Sequence, residues 1–126
     1  MNPYLLVALG GALGSVARYG TGMLVGKAWD STFPLGTMLI NIVGSLAMGL
    51  FIGYITRTTP AWQADARLFV AVGIFGGFTT FSSFSLDAIA MLERGEIAPA
   101  LFYVVGSVVV GIASLYVGLV VMRVGA

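Results

Sequence analysis

Four apolar runs, each close to the length of a bilayer crossing, dominate this 126-residue chain. They fall at about residues 5–26, 35–55, 68–92 and 98–121, and a spanning helix needs about 20 predominantly apolar residues. Inside lipid the backbone has to satisfy its own polar groups, so runs of this kind are read as helices. The separators carry polar signals: Lys27, Asp30 and Pro34, then Arg57, Pro60, Asp65 and Arg67, then Glu93, Arg94, Gly95 and Glu96. Pro3 and Pro99 stand near helix starts, where a missing N–H costs little. Trp29, Trp62, Tyr54 and Tyr103 lie near the expected boundaries, as interfacial aromatics do. The N-terminus lacks the basic segment of a signal peptide, and its apolar run is too long for one. The expectation is an all-α integral membrane protein, a single domain over residues 1–126 with four transmembrane helices and no soluble part.

Composition narrows the function classes. The chain is 59% hydrophobic and 9% charged, against about 25% charged in ordinary soluble domains. A net charge of +1 offers no basic field for nucleic acid. There is no Cys and no His, which removes thiolate nucleophiles, the commonest zinc ligand and the commonest general base.

The charges are spread in an unusual way. Four spans place both termini on one side together with the second loop, and that side holds Arg57, Arg67 and Arg123. The other side holds Lys27 and Arg94, joined by Arg18 if its side chain snorkels. Orientation follows Lys/Arg excess in short loops, and here almost none exists. Two readings stay open: a weak bias that selects one orientation, or dual topology, with copies inserted both ways up and paired antiparallel.

Glycines four apart mark close helix packing: Gly10 and Gly14, Gly22 and Gly26, Gly49 and Gly53, Gly73 and Gly77, with Ser45 extending one series. The third run differs from the others. Gly76-Gly77 in mid-span is a place for a break, and Thr79, Thr80, Ser82, Ser83 and Ser85 follow it. A broken helix in lipid has to be buried in protein or line a wet cavity, and its freed carbonyls are able to bind a cation. The alternative is a continuous helix with hydroxyls bonded back to i−4 carbonyls.

Phe78, Phe81 and Phe84 recur every three residues along this run. As a stripe this is packing. As chemistry, each ring offers an electropositive edge that stabilises a small anion without binding it too tightly to leave. Asn41 sits deep in the second run with Thr37 one turn earlier, and Tyr103, Ser107 and Ser114 lie in the fourth. Arg18 and Asp87 are the ionisable residues inside the runs, and such residues are functional candidates by default. Arg18 either lends positive potential to a vestibule, pairs with a carboxylate, or snorkels. Asp87 equally suits a helix-end contact.

Taken together, Gly76-Gly77-Phe78-Thr79-Thr80-Phe81-Ser82-Ser83-Phe84-Ser85, with Gly36-Thr37 and Asn41 before it and Gly14 and Arg18 earlier still, resembles the Fluc family of fluoride channels, also called CrcB. The resemblance covers the whole chain in length, span number and motif order. It implies a third helix broken mid-membrane and an antiparallel dual-topology homodimer in the plasma (inner) membrane of a prokaryote. It also implies passive fluoride export that protects the cell, through two pathways per dimer. Phe81 and Phe84 resemble the pore phenylalanines, Asn41 the pore asparagine, and Ser82 and Ser83 the neighbouring hydroxyls. Thr37, Tyr103 and Ser107 fall on polar positions of the pathway, and Arg18 resembles the vestibule arginine. The main-chain carbonyls of Gly76 and Thr79 resemble ligands of a central structural sodium ion. The chain departs from the pattern at Asp87, where relatives commonly carry Glu, and at Gly111, where some carry a hydroxyl.

Rival classes explain less. A proton-coupled small multidrug exporter needs an intramembrane carboxylate; the first run holds no acid, and Asp87 lies toward a helix end. A membrane scaffold accounts for the glycines but not for the hydroxyl-rich segment. An enzyme lacks a catalytic constellation, because Asp87 has neither His nor Cys to work with.

Overall fold

A computed structural model describes residues 1–124, and it is helical nearly throughout. Helix α1 spans Pro3–Ala28 and α2 Leu35–Thr58. A short α3, Gln63–Ala66, runs into a π-helical stretch, Arg67–Phe75, and then into α4, Gly76–Phe78. After Thr79 and Thr80, α5 covers Phe81–Glu93 and α6 covers Ile97–Val124.

Local chemistry accounts for the helix ends. Asn2 caps α1 by accepting the Tyr4 N–H at 2.7 Å, and Pro3 follows at a position where no N–H is needed. The turn from α5 to α6 is a Schellman closure. Gly95, at φ +79°, donates to the Leu92 carbonyl at 3.0 Å, and Glu96 donates to the Met91 carbonyl at 2.9 Å. Arg94 and Glu96 pair across that turn at 2.8 Å.

Among the described residues, three stretches are long and apolar enough to cross a membrane: Leu35–Thr58, Gln63–Glu93 and Ile97–Arg123. Helix α1, although 26 residues long, falls below that apolar density. Its seven-residue segment Gly14-Ser15-Val16-Ala17-Arg18-Tyr19-Gly20 dilutes the run with small and polar groups.

Packing divides into two main contacts, α2 against α6 and α1 against the π-helical stretch and α4. Both depend on glycine at points of backbone contact. A Cβ on Gly73 would lie 2.8 Å from the Gly10 Cα, and one on Gly118 would lie 2.6 Å from the Leu50 nitrogen. Gly77 meets the Gly11 carbonyl in the same way, at 2.7 Å. The expected pairs Gly10/Gly14, Gly49/Gly53 and Gly73/Gly77 therefore sit at helix contacts. Gly22 and Gly26 do not: a Cβ there would meet nothing within 4 Å of the described chain.

Few side chains are buried. Met38, Phe84, Met91, Ala100 and Tyr103 form one cluster between α2, α5 and α6. Tyr103 is its centre, with 0% of its surface exposed. Phe33 packs edge-on against its ring at 5.7 Å. Most large apolar residues of α1 and α6 face outward, as lipid-facing helices require.

Candidate functional site

The helical path through the third span is interrupted at Thr79 and Thr80, not at the glycines. Gly76 and Gly77 lie within helix α4, while Thr79 (φ −80°, ψ 156°) and Thr80 (φ −148°, ψ 123°) are extended. Gly77 is required for the approach of α1, so its small size serves packing and not chain reversal.

Side chains replace the hydrogen bonds that the interruption removes. Asn41 Oδ1 accepts the Thr80 N–H at 2.8 Å, and Asn41 Nδ2 donates to the Thr80 carbonyl at 3.0 Å. The Thr80 hydroxyl caps α5 by accepting the Ser83 N–H at 3.2 Å. The Thr79 hydroxyl donates back to the Phe75 carbonyl at 2.9 Å, and the Ser85 hydroxyl to the Phe81 carbonyl at 3.0 Å. Arg18 Nε donates to the Gly77 carbonyl at 3.1 Å. It thus places its positive charge at the C-terminal end of α4, where the helix dipole favours a cation. Among the three roles left open for Arg18, the observed contact is with a carbonyl and not a carboxylate.

The interruption leaves several carbonyls without their helical donors, those of Gly76 and Thr79 among them. In an unbroken helix the Gly76 carbonyl would accept from the Thr80 N–H, which Asn41 has taken. The Thr79 carbonyl would accept from the Ser83 N–H, which the Thr80 hydroxyl has taken. No cluster of three or more His, Cys, Asp or Glu exists among the described residues. A cation held at this junction would have main-chain oxygens for ligands, a donor set that suits a hard ion. Two carbonyls from one chain make only part of a coordination shell.

Two clefts flank the Asn41–Thr80 junction. One is lined by Arg18, Thr37, Thr80, Ser83 and Asp87, among others. In it Asp87 is engaged: the Tyr103 hydroxyl donates to Asp87 Oδ2 at 3.1 Å. The other is lined by Asn41, Ser45, Thr79, Thr80, Phe81, Phe84, Ser107 and Val108. Ser107 is 8% exposed, and its hydroxyl has no hydrogen-bond partner among the described residues. A buried hydroxyl without a partner is costly unless water or a ligand completes it.

The two phenylalanines differ in setting. Phe84 is 9% exposed and stacks on Tyr103 with ring centroids 5.0 Å apart. Phe81 is 79% exposed and touches Phe84 at 5.8 Å, so most of its ring faces away from the rest of the chain. The structure thus gathers Asn41, Phe81, Phe84 and Ser107 around one cleft and Arg18, Thr37, Ser83 and Asp87 around the other. Tyr103 lies between the two, touching Phe84 on one side and Asp87 on the other. Ser82 lines neither; it is exposed, 3.4 Å from the Thr80 hydroxyl. Sequence reasoning passed over Ser45 as a cleft residue. Its spacing of one turn after Asn41 on α2 was the available signal. Gly111 is adjacent, with a Cβ built there lying 3.8 Å from the Ser45 hydroxyl.

Long apolar helices, a helical interruption held by side chains and polar clefts on both sides of it define a multi-spanning helical membrane protein. Residues 5–119 match the family described as CrcB-like protein, Camphor Resistance (CrcB), and the chain belongs to that family. It is similar to the fluoride-specific ion channel FluC 2 of Nitrobacter hamburgensis, with 48% identity over 95% of this chain and 96% of the relative. It is likewise similar to the fluoride-specific ion channel FluC of Nitrobacter winogradskyi, with 51% identity over 95% of this chain and 94% of the relative. A third relative, the fluoride-specific ion channel FluC of Thermus thermophilus, is 47% identical over 94% of this chain and 93% of its own length.

Proposed function

We propose that this chain is a fluoride-specific ion channel that lets cytoplasmic fluoride leave the cell down its electrochemical gradient and so protects it from fluoride. The observation that carries this reading is near-half identity, over almost the full length, to relatives named for that activity. The chemistry of the clefts supports it. Ser45 and Ser107 hydroxyls, the Asn41 amide and the edges of Phe81 and Phe84 supply donors and positive edges with no fixed charge in that cleft. Conduction needs binding of moderate strength at each site, and uncharged donors meet that need better than a bare cation. Arg18, at the neighbouring cleft, adds positive potential where an anion would enter.

The working unit is an antiparallel dual-topology homodimer of four-helix protomers, each a single domain with its third helix broken mid-membrane. It lies in the plasma (inner) membrane of a prokaryote. Support for pairing comes from Phe81, whose ring is 79% exposed on one protomer, and from the even division of Lys and Arg. In the dimer a structural sodium ion sits at the centre, held by the Gly76 and Thr79 carbonyls of both copies. The diverted donors around those carbonyls support this placement. Residues of the pathway are Asn41, Phe81, Phe84, Ser82, Ser83, Thr37, Tyr103, Ser107 and Asp87, with Arg18 at the vestibule.

Fluoride efflux from liposomes containing only the purified protein tests the reading. Electrogenic efflux that needs an ionophore to dissipate charge, and no proton gradient, is expected. Movement of fluoride only under an imposed proton gradient, or efflux of cationic drugs instead, would overturn it.

A further inference from the structure

We propose that the cleft between the C-terminal ends of α2 and α6 is a binding site for an anionic phospholipid, with Arg57 and Arg123 holding its phosphodiester and Ile52 and Leu119 receiving the start of an acyl chain. These residues, with Thr56, line one cleft. Arg57 does not wave freely in it. Its Nη1 donates to the Met122 carbonyl at 2.8 Å, which holds the guanidinium across the two helices and leaves its other N–H groups available. Arg123 follows Met122 directly on α6 and lines the same cleft. Two guanidiniums in one cleft repel each other unless an anion lies between them. No salt bridge to either occurs among the described residues, where Arg94–Glu96 is the pair found. The Thr56 hydroxyl is already spent, donating to the Ile52 and Gly53 carbonyls.

The distribution of charge points the same way. The end of the helices that carries this cleft holds Arg57, Arg67 and Arg123 against Asp65, whereas the other end sets Asp30, Glu93 and Glu96 against Lys27 and Arg94. Acidic residues gather away from the cleft. Exposed aromatics stand near its level: Tyr54 is one turn before Thr58 at the end of α2, and Trp62 starts the third span. Aromatics of this kind lie at the headgroup region. Arginine is suited to the task because its planar fork engages phosphate oxygens in pairs. Basic pockets between spanning helices take lipid headgroups, with about 1 kcal/mol of attraction per basic residue near an anionic surface. In an antiparallel pair one such cleft would face each leaflet.

The test is native mass spectrometry of the full chain in detergent with phosphatidylglycerol, phosphatidylcholine or inorganic phosphate added at equal concentration. The parent is expected to retain phosphatidylglycerol over phosphatidylcholine by about tenfold or more, since each arginine contributes about fivefold. Arg123→Gln, which removes a side chain with no hydrogen bond in the described fold, is expected to cut that preference about fivefold. Arg57→Gln should do the same with some loss of stability, and Arg94→Gln, at the opposite end, should leave it unchanged. Equal retention of the two lipids by the parent would overturn the proposal, as would an unaltered preference in Arg123→Gln. Displacement of phosphatidylglycerol by inorganic phosphate at the same concentration would also overturn it, because a free-anion site would then suffice.

Discussion

Asn41 and the main chain of Thr80 form a two-bond pair, 2.8 Å from the Thr80 N–H to Oδ1 and 3.0 Å from Nδ2 to the Thr80 carbonyl. The amide side chain imitates a peptide group and replaces contacts that an unbroken third span would have made for itself. A donor or acceptor left bare in lipid costs several kcal/mol, so the interruption depends on α2 being present alongside it. This links the polar residue of α2 to the shape of the third span and to the orientation of Ser83 and Phe84 on α5.

Replacing Asn41 should therefore act on the fold as well as on transport. Asn41→Ala is expected to destabilise the protein by about 1–3 kcal/mol, because it leaves both polar groups of Thr80 unmatched. Asn41→Asp keeps an acceptor for the Thr80 N–H but loses the donor to its carbonyl, and should also be less stable than the parent. Thermal unfolding in detergent reads both. Parent-like melting of Asn41→Ala would show that the pair contributes nothing to the junction.

Phe81 and Phe84 should separate ring chemistry from packing. Phe81→Ile removes a ring that makes little contact within its own chain, so the fold of the chain should be kept while fluoride flux falls steeply. Phe84→Ile also loses the stack on Tyr103 and should cost about 1–3 kcal/mol in addition to flux. Phe78→Ile should retain more flux than either. If Phe81→Ile and Phe84→Ile conduct like the parent, the ring edges play no part in moving the anion.

Backbone contact at glycine gives a sharp contrast between α6 and α1. Gly118→Ala puts a methyl 2.6 Å from the Leu50 nitrogen and 2.7 Å from the Leu46 carbonyl, both main-chain atoms. A loss of about 3 kcal/mol or failure to accumulate is expected. Gly22→Ala meets nothing within the described chain and should leave folding intact. Expression level and melting temperature check both; a stable Gly118→Ala protein would mean that α2 and α6 sit farther apart.

Assembly and the cation have separate readouts. Single cysteines placed at either terminus should label from both faces of the membrane in intact cells, at every expression level. Labelling from one face alone excludes dual topology. Replacing sodium by a bulky organic cation should lower the melting temperature and the flux together, since the Gly76 and Thr79 carbonyls would lose their partner. Unchanged melting and flux in sodium-free buffer would remove the ion from its structural role.

Membrane residence was legible in the residues themselves, because the solvent imposes it: Leu35–Thr58 and Ile97–Arg123 are long and apolar enough to cross a bilayer. The hydroxyl cluster from Thr79 to Ser85 and the small-residue spacing were legible for the same reason, since each deviates from what plain lipid-facing helices contain. The exact place of the interruption was not. Glycine propensity points to Gly76-Gly77, yet the chain leaves the helix at Thr79, because Asn41 from another helix supplies the substitute hydrogen bonds. Tyr103 shows the same limit. A tyrosine near the start of an apolar run has the pattern of an interfacial residue, and only the meeting of α5 and α6 buries its ring while giving its hydroxyl to Asp87. Local sequence sets which groups want hydrogen bonds and which want lipid. Which helix provides the missing partner is a matter of contacts far apart in the chain, and those exist only once the helices have packed.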